Sequence, residues 1–146
     1  MTRIDTDDAL RDLVYDGYSW FWYFDSAWLS TGCFWRVVKD GRVFAASIDH
    51  GETFGRSTAV DLTSKLRQEL DGVRLQHVDL DDETGDVTLH FGDRFQVQLF
   101  ISSLGYESYD LIVGGKNYVG MGSSHVAVKE WSGPLPGRLP AGPRQN

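Results

Sequence analysis

Residues 19–50 and 86–125 of this chain carry the same pattern, and an internal repeat restricts a fold more than any single motif. In the first segment Phe24-Asp25 precedes Trp28 and a strand-like run to Phe34. In the second, Phe91-Gly92-Asp93 precedes Phe95 and a strand-like run to Ile101. The first continues from Trp35 to Ala45 through a hairpin centred on Gly41-Arg42. The second continues from Tyr109 to Val119 through Gly115-Lys116, after an insertion at Ser102 to Ser108. A duplicated β-meander, each half burying one face against the other, is the architecture this pattern predicts. The opposing reading is that all hairpins share alternation and turn glycines.

The predicted class is α+β: an antiparallel sheet of two similar meander halves, with one main helix over 59–70 packed on it. Leu62, Leu66 and Leu70 give that helix one apolar stripe. Thr58 is its expected N-cap, with Asp61 three residues on, and Gly72 its stop. A short helix is expected over 6–14, with Leu10, Leu13 and Val14 on one side. Strands are expected over 28–38 and 42–49, joined by a Lys39-Asp40-Gly41 turn. In the run 73–80, strict alternation puts Val73, Leu75, His77 and Asp79 on one face and Gln76, Val78 and Leu80 on the other, so neither face is cleanly apolar. Val87, Leu89 and Phe91, then Phe95, Val97, Leu99 and Ile101, alternate with polar residues as half-exposed strands do. Tyr18 to Phe24 is almost wholly aromatic, which suits a strand buried on both faces; the alternative is an exposed strand meant for a partner.

One α+β domain is expected over 1–131. All four prolines fall beyond it, at 134, 136, 140 and 143, so 132–146 is expected to be a flexible tail, or one that docks in a groove. The 146 residues suffice for one core, and aromatics at 13% favour pleated sheet. The net charge of −7 argues against a nucleic-acid partner and for a basic protein partner. The single Cys33 has no internal disulfide partner and sits in an apolar run. The polar, acidic N-terminus and the lack of an apolar run of about 18 residues imply a cytoplasmic chain with no membrane span.

Chemistry is thinly signalled. Asp49-His50-Gly51-Glu52 offers an acid beside an imidazole, the raw material of a small hydrolase or metal-dependent enzyme. The plainer reading is a turn with a surface histidine. His77, His90 and His125 show no zinc-site spacing, and neither metal nor cofactor is expected. Asp79, Asp81, Asp82, Glu83 and Asp86 read as a solvated hairpin tip rather than a calcium loop. Gly120-Met121-Gly122-Ser123-Ser124 lacks the lysine of a phosphate loop.

Several short motifs fall in a fixed order: Trp35-Arg36, Asp49-His50-Gly51, Thr84-Gly85-Asp86 and Gly105-Tyr106-Glu107-Ser108-Tyr109. Across roughly 35–123 the chain resembles a family of small uncharacterised bacterial proteins associated with immunity against polymorphic toxins. It departs from that pattern at Tyr109, where Trp is commoner, and at Gly122-Ser123, where a third Gly is usual. The resemblance implies a non-enzymatic, cytoplasmic immunity protein that occludes a cognate basic toxin domain. Expected contacts are the carboxylates of Glu52, Asp79, Asp81, Asp82, Glu83, Asp86 and Glu107, with Trp20, Trp22 or Trp28 as an exposed anchor. The competing function is a structural module that self-associates, as a homodimer, through the 18–24 strand.

Overall fold

The structure is a computed structural model that describes residues 1–137. In chain order the strands are β1 (Thr2–Tyr15), β2 (Trp20–Phe24), β3 (Trp28–Thr31), β4 (Trp35–Lys39), β5 (Arg42–Ala46), β6 (Arg74–Leu80), β7 (Val87–Phe91), β8 (Phe95–Leu99), β9 (Tyr109–Val113), β10 (Lys116–Gly120) and β11 (Val126–Glu130). One helix, α1 (Leu62–Glu69), interrupts them, with short 3-10 turns at Ser47–Asp49 and Gly122–Ser124. The architecture is thus mostly antiparallel sheet with a single α-helix among the described residues. Strand order is β11-β10-β9-β3-β2-β1-β6-β7-β8-β4-β5.

β1 is the hinge of this sheet. Its first part pairs with β6, from Thr2↔Leu80 to Ala9↔Arg74. Its last part pairs with β2, from Leu10↔Phe24 to Tyr15↔Trp20. The register slips between Asp5 and Asp8 on one side and between Leu10 and Asp12 on the other. Such irregularities bend and twist a strand, so the two wings turn their apolar faces toward each other. Trp35 of β4 meets Trp22 and Trp20 of β2 edge-on, at centroid distances of 5.2 and 5.0 Å. Phe24 and Phe91 stack at 6.0 Å. These rings, with Leu13, Leu29, Val37, Leu89 and Val97, form the core.

The helix expected over 6–14 is therefore strand. Leu10, Leu13 and Val14 match helical spacing, but pairing with both β2 and β6 satisfies the backbone, and long-range pairing overrides weak local preference. The run expected over 28–38 is two strands, broken at Gly32-Cys33. There the Thr31 hydroxyl accepts the Cys33 amide at 3.1 Å and donates to the Ser108 carbonyl at 2.8 Å.

The main helix is shorter than 59–70, and its N-cap is Asp61, not Thr58. The Asp61 carboxylate accepts the Thr63 amide at 3.1 Å and the Thr63 and Ser64 hydroxyls at 2.6 and 2.8 Å. Leu62, Leu66 and Leu70 are buried as the spacing implies, and α1 packs over β1. Tyr18 is exposed, while Trp20, Trp22 and Phe24 point inward and Phe21 and Tyr23 are half-buried. The tail expected over 132–146 falls partly outside the described residues. Just before it, Trp131 donates its amide to the Gly115 carbonyl at 3.0 Å.

Candidate functional site

A β-bulge decides what the outer face of the β6 wing displays. Pairing of β6 with β7 slips between Leu75 and His77. Leu75 therefore points into the core with Val78 and Leu80, and the mixed faces of simple alternation do not arise. His77 and Asp79 turn outward. His77 stands opposite His90 of β7, and Asp79 opposite Thr88. The two imidazoles stack with centroids 4.1 Å apart and planes 16° apart. His90 Nε2 lies 2.8 Å from Asp79 Oδ2, and His77 Nε2 lies 3.9 Å from the same oxygen. All three side chains are half-buried. Burial, then the neighbouring His90 and Arg3, lower the His77 pKa below its ordinary value.

The same face continues into a groove of about 240 Å³, lined by Asp79, Thr88, Gln98, Arg36 and Phe100 among others. Arg36 Nε donates to Gln98 Oε1 at 2.7 Å, and its guanidinium lies over the Phe100 ring at 5.6 Å. Arg36 is thereby fixed with its charge on the surface.

The acidic tip between β6 and β7 is a built turn, and most of its carboxylates have internal tasks. Asp81 accepts the amides of Glu83 and Thr84 at 2.9 and 3.0 Å, which depress its pKa. Asp82 pairs with the Met1 ammonium and accepts the Thr2 hydroxyl at 2.6 Å, and these bonds depress its pKa too. Asp86 accepts the Ile101 amide at 2.8 Å, tying the tip to the chain beyond β8. Glu83 is exposed. Of the expected contact residues, Glu52 and Glu107 are also exposed, but they lie in other loops, after Ser47–Asp49 and before β9.

Beside the tip runs a second groove, of about 510 Å³. Asp81 and Asp82 form one rim, and Leu80, Tyr118, Val126 and Val128 supply apolar lining, with Lys116 and His125 also present. It lies along β10 and β11, and β11 has a strand neighbour on one side only among the described residues.

The tryptophans take a different place from the one expected of an exposed anchor. Trp20, Trp22 and Trp28 are 4%, 0% and 7% exposed, because the two wings close over them. The most exposed aromatic rings are Tyr18, Phe54 and Tyr106, each in a loop, and Tyr15 at the end of β1 is exposed to a lesser degree. Tyr18 lies in the aromatic run expected to be a strand and Tyr106 in the 105–109 motif, but loop aromatics leave no periodic signal to mark them as exposed.

His50 acts as a structural connector. Its Nδ1 accepts the Leu62 amide at 3.1 Å, and its ring meets Tyr15 and Trp20 edge-on at 5.3 and 5.0 Å. Asp49 and Glu52 close the loop through backbone bonds, the Glu52 amide donating to the Asp49 carbonyl at 3.0 Å. Gly122 answers a packing demand: a Cβ there would lie 2.3 Å from the Leu104 carbonyl oxygen.

No protein-family model matches this chain, and no curated protein or solved structure matches it either. No helix among the described residues is long and apolar enough to cross a membrane.

Proposed function

We propose that this chain is a protein-binding module that occludes a basic partner, and that the partner is a bacterial toxin domain to which it confers immunity. The groove beside the acidic tip carries this reading. It combines a carboxylate rim at Asp81 and Asp82 with an apolar lining of Leu80, Tyr118, Val126 and Val128. Such a surface suits a segment bearing lysine or arginine next to apolar side chains, and the net charge of −7 steers a basic protein toward it. Asp81 is held by amides of the turn and Asp82 by the Met1 ammonium and the Thr2 hydroxyl, so little side-chain freedom is lost on binding. The immunity role rests on the resemblance of the ordered motifs over 35–123.

The test is co-purification of the tagged chain with the product of its adjacent gene, at low and high salt. A stoichiometric complex whose association slows about tenfold in Asp82→Lys/Glu83→Lys supports the reading. A complex with unchanged rate and salt dependence in that variant removes the groove. Absence of any complex at either salt removes the immunity role.

We also infer that the two halves descend from one duplicated unit. The series β2-β3-β4-β5 ends in the turn at Ser47–Asp49, and β7-β8-β9-β10 ends in the turn at Gly122–Ser124. β3 pairs with β9 and β8 with β4, so each segment sends its second hairpin to the other's wing. Phe24 and Phe91, matched in the two patterns, stack on each other. Reciprocal exchange of this kind is what a fused, strand-swapped pair of repeats produces.

A further inference from the structure

We propose that His77, Asp79 and His90 form a binding site for one divalent transition-metal ion of the zinc class. The donor set is two imidazole nitrogens and one carboxylate oxygen, and the three ligand atoms lie within 4.8 Å of one another. An ion bound at roughly 2.0–2.1 Å from each donor requires donors a little over 3 Å apart. The observed separations from the shared oxygen, 2.8 and 3.9 Å, bracket that spacing. Both rings must tilt out of their parallel stack to aim their Nε2 lone pairs at one ion.

The present contacts leave this cluster unevenly satisfied. Asp79 Oδ2 is within hydrogen-bonding reach of His90 alone, while His77 Nε2 stands 3.9 Å away. A cation between the three serves both nitrogens and the carboxylate at once. All three donors project from paired strands rather than loops, so the backbone fixes their spacing. Imidazole nitrogen with a single carboxylate selects zinc, cobalt, nickel or copper over magnesium or calcium. Three protein ligands leave a coordination position for solvent, and Asp79 borders the groove that also holds Arg36 and Gln98. The site is argued independently of the toxin-binding reading.

The experiment is calorimetric titration of the full chain with Zn²⁺ at neutral pH, with Co²⁺ absorption as a second probe. His77→Gln, His90→Gln and Asp79→Asn are compared with His125→Gln, and circular dichroism checks that each is folded. The expected result is one ion per chain. Binding weakens at least about tenfold in each of the three site variants and stays unchanged in His125→Gln. Nitrogen-15 spectra of the histidine rings should show Zn²⁺ shifting both the His77 and His90 Nε2 resonances in the wild-type chain. No saturable binding below millimolar Zn²⁺ or Co²⁺, or binding that survives all three substitutions, overturns the proposal. So does ring-nitrogen shifting confined to His50 or His125.

Discussion

The Asp8 carboxylate binds Ser26 twice, accepting its amide at 3.0 Å and its hydroxyl at 2.8 Å, although 17 residues of chain lie between them. The same carboxylate accepts the Asp25 amide at 2.9 Å and the Ala9 amide at 3.0 Å. It is 1% exposed and sits where β1 slips register against β6. One buried side chain thus joins the bulge in the hinge strand to the β2–β3 turn. Asp8→Ala leaves these donors without an acceptor and should cost about 3 kcal/mol. Asp8→Asn, which keeps one acceptor oxygen, should cost less. Urea unfolding of the three proteins measures the difference, and equal stability of Asp8→Ala and wild type would show the network to be idle.

Asp61 offers a test with a pH sign. The Thr63 hydroxyl, then that of Ser64, lower its pKa in the folded chain. A lowered acid contributes stability that is present above its unfolded value of about 3.9 and is lost as pH falls through the folded value. Asp61→Asn keeps a capping oxygen but cannot titrate, so its stability should decline less steeply with acid than that of wild type. Asp61→Ala should lose about 1 kcal/mol at neutral pH. Denaturation midpoints taken from neutral pH down to about pH 3 distinguish these outcomes.

At the alkaline end the sign reverses. Tyr109 is 1% exposed and donates its hydroxyl to the Gly85 carbonyl at 2.8 Å. Burial, with smaller contributions from Cys33 and Asp86, raises its pKa well above the ordinary tyrosine value. The unfolded chain ionises near pH 10 while the folded chain resists, so stability is present below that pH and falls above it. Tyr109→Phe should lose about 1 kcal/mol at neutral pH through the missing hydrogen bond, yet show a shallower alkaline decline. Tyr118, whose pKa burial also raises, keeps part of the decline in place.

Gly120 pairs with Tyr109 across β9 and β10, and the ring lies over the glycine. A Cβ at 120 would stand 2.3 Å from the ring. Gly120→Ala should therefore destabilise by about 1–3 kcal/mol through overpacking, with Tyr109 fluorescence and thermal midpoint as readouts. An unchanged midpoint would mean that the ring shifts freely.

Reciprocal pairing between the two segments predicts how a split chain behaves. Residues 1–72 alone lack the partners of β1, β3 and β4 in β6, β9 and β8. Each fragment should be unfolded or self-associated by itself, and mixing 1–72 with 73–137 should restore the fold. Independent folding of either fragment as a monomer would contradict the exchanged arrangement.

Local sequence determined those parts of this protein whose pattern closes over short distances. β7 and β8 follow from strict alternation of Val87, Leu89 and Phe91, then Phe95, Val97 and Leu99, because the pleat has period two. The turn at Asp40-Gly41 follows from the positive φ at both residues, 51° and 78°. The buried stripe of α1 follows from Leu62, Leu66 and Leu70. Tertiary structure alone decided the rest. β1 pairs on both sides through slipped registers, so its apolar residues keep no period of two and mimic a helix. The bulge after Leu75 reversed the facing of His77 and Asp79. Pairing of β6 with β7 in the slipped register then set His77 against His90, 13 positions on. The tryptophans that composition made eligible as anchors went inside, because two wings brought together from distant strands needed large rings to fill the space between them.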